Sequence, residues 1–286
     1  MHAKLRDTEL FFDIEGTGLV PDGDVMRQRP VAMVIHGGPG GDHTGFKPGM
    51  SPLTDTLQLV YFDHRGQGGS AASDPARYTL DENVEDMEAL RQHLGLGPIV
   101  SIGTSYGGMV AMAHAARYPA AVARLILIVT AAHGGFVPLA EQFVREHGNA
   151  EQQRVCQILW DGTFQTPAQM MEYYTAMGPL YSHHYNPAAG QASRSRATYS
   201  PEPLNRAFGP GGVLREFDLR PELPRITAPT LILAGKYDWI CPPSFSEEIH
   251  RLIHGSHYRL FLDSSHSIRG DEPEALNAAI RDFARA

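Results

Sequence analysis

Ser105 lies in Gly103-Thr104-Ser105-Tyr106-Gly107, after an apolar run at 99–102 and before a helical stretch of small residues at 109–117. Gly-x-Ser-x-Gly is a weak pattern alone. Its position between a strand and a helix makes it a nucleophile elbow, in which the two glycines let the backbone close around an exposed serine. A serine hydroxyl needs a base within about 3 Å, and that base needs a carboxylate to fix its tautomer. Asp238 follows the apolar run 229–234 and His266 follows the run 258–262, giving the chain order nucleophile, acid, histidine. Asp263 is a rival acid, disfavoured because it is so close in sequence to His266. The alternatives to this chemistry are a serine that caps a helix, an aspartate in a turn and a solvated loop histidine.

Acyl transfer also requires hydrogen-bond donors where negative charge develops. The backbone N–H of Tyr106, directly after the nucleophile, supplies one. The second comes from the glycine loop His36-Gly37-Gly38-Pro39-Gly40-Gly41, with Gly38 the candidate. A phosphate-binding reading of this loop fails because neither a Walker Lys-Ser/Thr nor a dinucleotide fingerprint follows it.

These groups can meet only if the elements before them end along one sheet edge. Apolar runs at 31–35, 57–62, 99–102, 124–129 and 229–234 read as strands covered on both faces, and 10–14 as an opening strand. Residues 16–29 are turn-rich, with room for a further edge strand. Thr79 with Glu82 forms a capping-box pattern ahead of Val84, Met87, Leu90 and Leu94 at helical spacing. Helices are expected at 243–254 and from about 271 to the carboxyl end. The alternation predicts an α/β fold with a mostly parallel central sheet and helices on both faces. It breaks between 134 and 222, where short helical stretches carry many aromatic residues. That segment is expected to be an inserted helical cap, leaving 1–133 and 223–286 as the catalytic domain.

Composition narrows the function. The 286 residues are 42% hydrophobic, with a formal net charge of −8 that disfavours general attraction to nucleic acid or anionic membranes. The amino terminus does not read as a signal peptide, and no apolar run reaches membrane-spanning length. Two cysteines, Cys156 and Cys241, form no disulfide framework and fit a reducing compartment, so a cytoplasmic location is expected. No metal or cofactor is expected. His183-His184 lacks partners at ligand spacing. Asp63 and Arg65 are expected to fix a loop beside the site, and oligomeric state is left open.

The set His36-Gly37-Gly38-Pro39-Gly40, Asp63-His64-Arg65-Gly66-Gln67-Gly68-Gly69-Ser70, Gly103 to Gly108, Gly235-Lys236-Tyr237-Asp238 and Ser265-His266-Ser267 resembles the proline iminopeptidases and their relatives in the α/β-hydrolase superfamily. The resemblance implies an α/β-hydrolase fold with a helical cap, a Ser105–Asp238–His266 triad and an oxyanion hole from Gly38 and Tyr106. It also implies cleavage of an amino-terminal residue, often proline, from small peptides. In one branch of that family a glutamate follows the triad aspartate and a second lies in a cap Gly-Pro-Asn-Glu stretch; here those places hold Trp239 and Gly209-Pro210-Gly211-Gly212. Glu172 is the candidate replacement anchor for a substrate amine, with Glu141, Glu146 and Glu151 as others. Trp239, Tyr173 and Tyr181 are expected to line the substrate pocket. Without a carboxylate a cationic amine would lose its hydration uncompensated, so an esterase or amidase acting on small neutral, apolar or aromatic substrates is the alternative. A non-catalytic binding protein on the same fold is the reading from another class.

Overall fold

The structure is a computed structural model and describes residues 1–285. In chain order the strands and first helices are β1 (His2–Leu5), β2 (Thr8–Glu15), β3 (Leu19–Asp22), β4 (Val25–Gln28), β5 (Val31–Ile35), β6 (Gln58–Phe62), α1 (Leu80–His93), β7 (Ile99–Thr104), α2 (Tyr106–Arg117) and β8 (Val122–Ile128). Six helices follow without a strand: α3 (Phe136–His147), α4 (Ala150–Asp161), α5 (Pro167–Tyr181), α6 (Pro187–Arg194), α7 (Pro201–Phe208) and α8 (Val213–Glu216). The chain then returns through β9 (Thr230–Gly235), α9 (Pro243–Leu252), β10 (His257–Phe261), α10 (Ile268–Asp271) and α11 (Pro273–Arg285).

Eight strands form one sheet in the order β1-β2-β6-β5-β7-β8-β9-β10. From β6 to β10 every pairing is parallel, while β1 and β2 add an antiparallel edge. The central strands are apolar without alternation because both faces are covered. Met33 and Ile35 of β5 face α1, α2 and α9, whereas Ala32 and Val34 face the side closed by α11 and residues 46–53. Three strands were illegible or only hinted at in sequence. β1 is a four-residue edge that buries only Ala3 and Leu5, and β3 with β4 is an exposed hairpin with no apolar face to detect.

The Thr79/Glu82 expectation requires correction. Thr79 Oγ1 accepts from Glu82 N at 3.2 Å, but Glu82 does not reach back to the cap. Its carboxylate instead joins Arg77, Arg6 and Arg65. Competing guanidinium charge removes the reciprocal half of the box, because a charge-assisted hydrogen bond is stronger than one to a backbone amide.

Arg65 is the centre of that network. It is fully buried and grips Asp86 through Nε at 2.6 Å and Nη2 at 2.7 Å. Removing one member of a buried pair leaves the other charge uncompensated, typically at a cost of about 3–5 kcal/mol. Arg6 Nη1 still reaches Asp86 Oδ1 at 2.8 Å, so Arg65→Met is expected to lower unfolding free energy in urea by less, about 2–3 kcal/mol. Adding Asp86→Leu should recover much of the loss; if it does not, the destabilisation comes from packing and not from an orphaned charge.

Candidate active site

β7 delivers Ser105 onto α2 with no intervening residue. Ser105 has φ 55° and ψ −122°, a region that costs a side-chain-bearing residue about 1–3 kcal/mol. The turn is held by Ser105 N–H donating to Ile128 O at 2.9 Å and Thr130 Oγ1 donating to Ser105 O at 2.7 Å. Gly107 is required at close approach, since a Cβ there would overlap the carbonyl of Ile35. Ser105 makes no capping bond with its side chain. Its hydroxyl is left to the cavity it lines.

The other strand ends bring their residues to the same edge. Asp238, buried after β9, accepts from Ile240 N and Cys241 N through Oδ1, each at 2.9 Å. Its Oδ2 faces His266 Nδ1 at 2.8 Å. Those bonds aim the carboxylate at one imidazole nitrogen and leave Nε2 for the cavity, which His266 also lines. Ser105 Oγ and His266 are not hydrogen-bonded here; substrate-free sites often close this bond only when substrate arrives. Asp263 is exposed, with its backbone N–H donating to Glu272, and takes no part in this cluster.

Gly38 has φ 112°, and neither its N–H nor that of Tyr106 has an acceptor. Tyr106 occupies the first position of α2, where helical geometry leaves the N–H unpaired. Its ring is buried behind the turn, with Asn83 Nδ2 donating to its hydroxyl at 2.7 Å. His36 fixes the peptide that carries the Gly38 N–H. Its Nδ1–H donates to Gly37 O at 2.8 Å, while Nε2 accepts from His64 N at 3.1 Å. This sets the His36 tautomer and pins a carbonyl whose trans-related N–H belongs to Gly38.

Burial depresses the pKa of both His36 and His64, most strongly for His64, where the neighbouring imidazole of His36 adds to the effect. Asp63 opposes the shift at both rings, yet burial dominates. Buried His114 is depressed by desolvation in the same way despite its contact with Glu88. Histidines neutral in the fold but protonated when unfolded make stability complete above about pH 6.5 and erode it as pH falls through and below that value. The expected slope is up to about 1.4 kcal/mol per pH unit for each histidine. A thermal midpoint that stays constant between pH 7 and pH 5 would show that these rings are not held neutral.

A cavity of about 440 Å³ opens over Ser105 and His266. Trp239, Tyr173 and Tyr181 are among the residues that line it. Tyr181 meets His266 edge-on at 5.7 Å and Trp239 at 5.8 Å, and its hydroxyl lies 3.1 Å from that of Tyr173. Glu172 does not belong there. It is exposed on the outer face of α5 and paired with Arg154, because the helical register that turns Tyr173 inward turns its neighbour outward. Glu141 pairs with Arg215 at 2.7 Å, Glu151 with Arg154 at 2.7 Å, and Glu146 accepts from Gln142. Gly209 to Gly212 border a separate depression with Asp161 and Arg206. Among the described residues no group of three or more His, Cys, Asp or Glu is arranged to hold a metal, and no helix is long and apolar enough to cross a membrane.

One set of contacts was invisible in sequence. The loop carrying His266 is sewn to the end of α5: Ser267 N donates to Tyr181 O at 2.8 Å and Ser265 Oγ to Leu180 O at 2.7 Å. Asp271 completes the seam by accepting from Ser265 N at 2.9 Å and from the backbone N–H groups of His183 and His184, each at 3.0 Å.

The profile of the alpha/beta hydrolase fold family matches residues 30–273. A proline iminopeptidase, PfmaB, from Pestalotiopsis fici is 29% identical over 278 residues, covering 95% of this chain and 97% of the relative. A proline iminopeptidase from Saccharolobus solfataricus is 29% identical over 272 residues, covering 88% and 83%. Among solved structures, a thermophilic esterase from Thermogutta terrifontis superposes with a TM-score of 0.73 at 27% identity, covering 100% of this chain and 98% of that one. The protein belongs to the α/β-hydrolase fold family, and it resembles proline iminopeptidases along most of its length.

Proposed function

We propose that the protein is a serine hydrolase that forms an acyl-enzyme on Ser105 and acts on amino-terminal bonds of small peptides. The observation carrying the chemistry is Asp238 Oδ2 bonded to His266 Nδ1 at 2.8 Å beside the strained, uncapped Ser105. His266 accepts the Ser105 proton as the hydroxyl attacks the carbonyl. The N–H groups of Gly38 and Tyr106 receive the oxyanion, His266 protonates the leaving amine, and water releases the acyl group by the reverse sequence. The segment 134–222 serves as the cap that encloses the acyl group. The peptide substrate is supported by the names of the relatives just described.

A second reading, an esterase or amidase for an uncharged apolar acyl group, is favoured by the lining of the cavity. Asp42 is the carboxylate along its wall, and both of its oxygens are occupied, by Thr44 N and Oγ1 and by Thr198 N. A substrate ammonium would find aromatic faces there instead of a free anion, worth about 2 kcal/mol when desolvated. Parallel turnover of proline 4-nitroanilide and a short-chain 4-nitrophenyl ester separates the two. Ester cleavage without anilide cleavage removes the peptidase reading.

A further inference from the structure

The cavity wall has two chemically distinct parts. Phe136, Trp160, Tyr173, Tyr181, Phe208 and Trp239 make one part aromatic. Lys47, Arg194, Arg196 and Arg269 make the other basic, in a chain whose formal net charge is −8. Lys47 is neutralised by Asp13. Among the described residues, none of the three arginines forms an ion pair, whereas Arg65, Arg77, Arg91, Arg117 and Arg154 all do.

Arg269 is the most constrained of the three. Its Nε donates to Gly45 O at 2.9 Å and its guanidinium carbon lies 5.5 Å from the Phe46 ring centre. The two terminal nitrogens have no hydrogen-bond partner and remain available to the cavity. Arg196 approaches the same turn, donating through Nη1 to Ala192 O at 2.8 Å and through Nη2 to Lys47 O at 3.1 Å, and among the described residues the half-buried Arg194 side chain makes no hydrogen bond or ion pair. Burial lowers the proton affinity of Arg269 with no carboxylate to offset it, although a guanidinium stays charged. A half-buried, unpaired guanidinium whose two terminal nitrogens are free has the geometry for bidentate capture of a carboxylate.

Its position says which half of the substrate carries that group. Arg269 stands three residues after His266, as the second residue of the short helix α10 that follows the His266 loop. The leaving group must lie against His266 to receive its proton, so a substituent on the leaving group extends toward Arg269. We propose that Arg269, with Arg194 and Arg196 at its rim, forms an anion subsite for a carboxylate on the leaving-group half of the substrate. The substrate class is an acylated amino acid or short peptide with a free terminal carboxylate, or an ester of a hydroxy acid. This assignment deepens the serine-hydrolase reading and rests on it for the side of the scissile bond.

The test uses Ser105→Ala protein, so that binding is read apart from turnover, with phenylacetate and phenylacetamide as probes in calorimetry. Phenylacetate should bind at least about tenfold more tightly, consistent with a charge-assisted pair. Adding Arg269→Gln should reduce that ratio to below about threefold, with Arg269→Lys between the two. Equal affinities in the parent overturn the subsite, as does a preference that survives Arg269→Gln, which would place the carboxylate at the Gly38 and Tyr106 donors. If Arg269→Gln does not fold, Arg269→Lys and Arg194→Gln decide: an unchanged ratio in both refutes the proposal. Failure of the Ser105 enzyme to cleave any ester or anilide refutes the hydrolase reading separately.

Discussion

Ser105→Ala should lower kcat by about 10⁵–10⁶-fold on whichever substrate the protein cleaves, while the thermal midpoint changes little. The hydroxyl makes no structural hydrogen bond that its removal would break, and the turn depends on the Ser105 backbone and Thr130. Ser105→Gly should be equally inactive but more stable by about 1–2 kcal/mol, since glycine adopts φ 55° without the side-chain penalty. Opposite signs for activity and stability at one position are what a strained nucleophile requires. Residual turnover within tenfold of the parent would remove Ser105 from the chemistry, and wild-type-like binding with no turnover in either protein would favour a binding module.

Asp238→Asn should reduce kcat by about 10⁴-fold with substrate affinity largely retained. The asparagine oxygen can still accept from Ile240 N and Cys241 N, so the loop after β9 keeps its shape. Its amide then presents N–H to His266 Nδ1, which reverses the tautomer and leaves Nε2 protonated, unable to take the Ser105 proton. Asp263→Asn is the internal comparison, because that residue is exposed and outside the cluster; its kcat/KM should stay within twofold. A larger loss at Asp263 than at Asp238 would reassign the acid.

The candidate catalytic constellation was legible in sequence because strand ends are marked twice, by the end of an apolar run and by the residue types that follow. Ser105, Asp238, His266 and Gly38 each sit at such an end, and a parallel sheet leaves all its carboxyl ends on one edge. The substrate side was less legible because it is built from helix faces. Tyr173 and Glu172 are neighbours in a polar and aromatic stretch without a strong apolar stripe, so nothing local says which of them turns inward. Arg269 carried a fainter signal, its spacing from His266, which becomes meaningful only when the missing ion pair is seen in three dimensions. β1 shows the same limit in the sheet: four residues with two inward positions are too few to establish a period.

The seam between the His266 loop and the end of α5 bears on how such proteins can be rebuilt. The segment 134–222 looks like a self-contained module, joined to the rest at two points between β8 and β9. It is not interchangeable as one, because Leu180, Tyr181, His183 and His184 offer the backbone groups to which Ser265, Ser267 and Asp271 attach. A graft that replaces this segment without those backbone positions would also loosen the loop that carries His266. A graft that leaves the His266 loop in place must therefore keep the end of α5 and change only the parts of the segment upstream and downstream of this fastening.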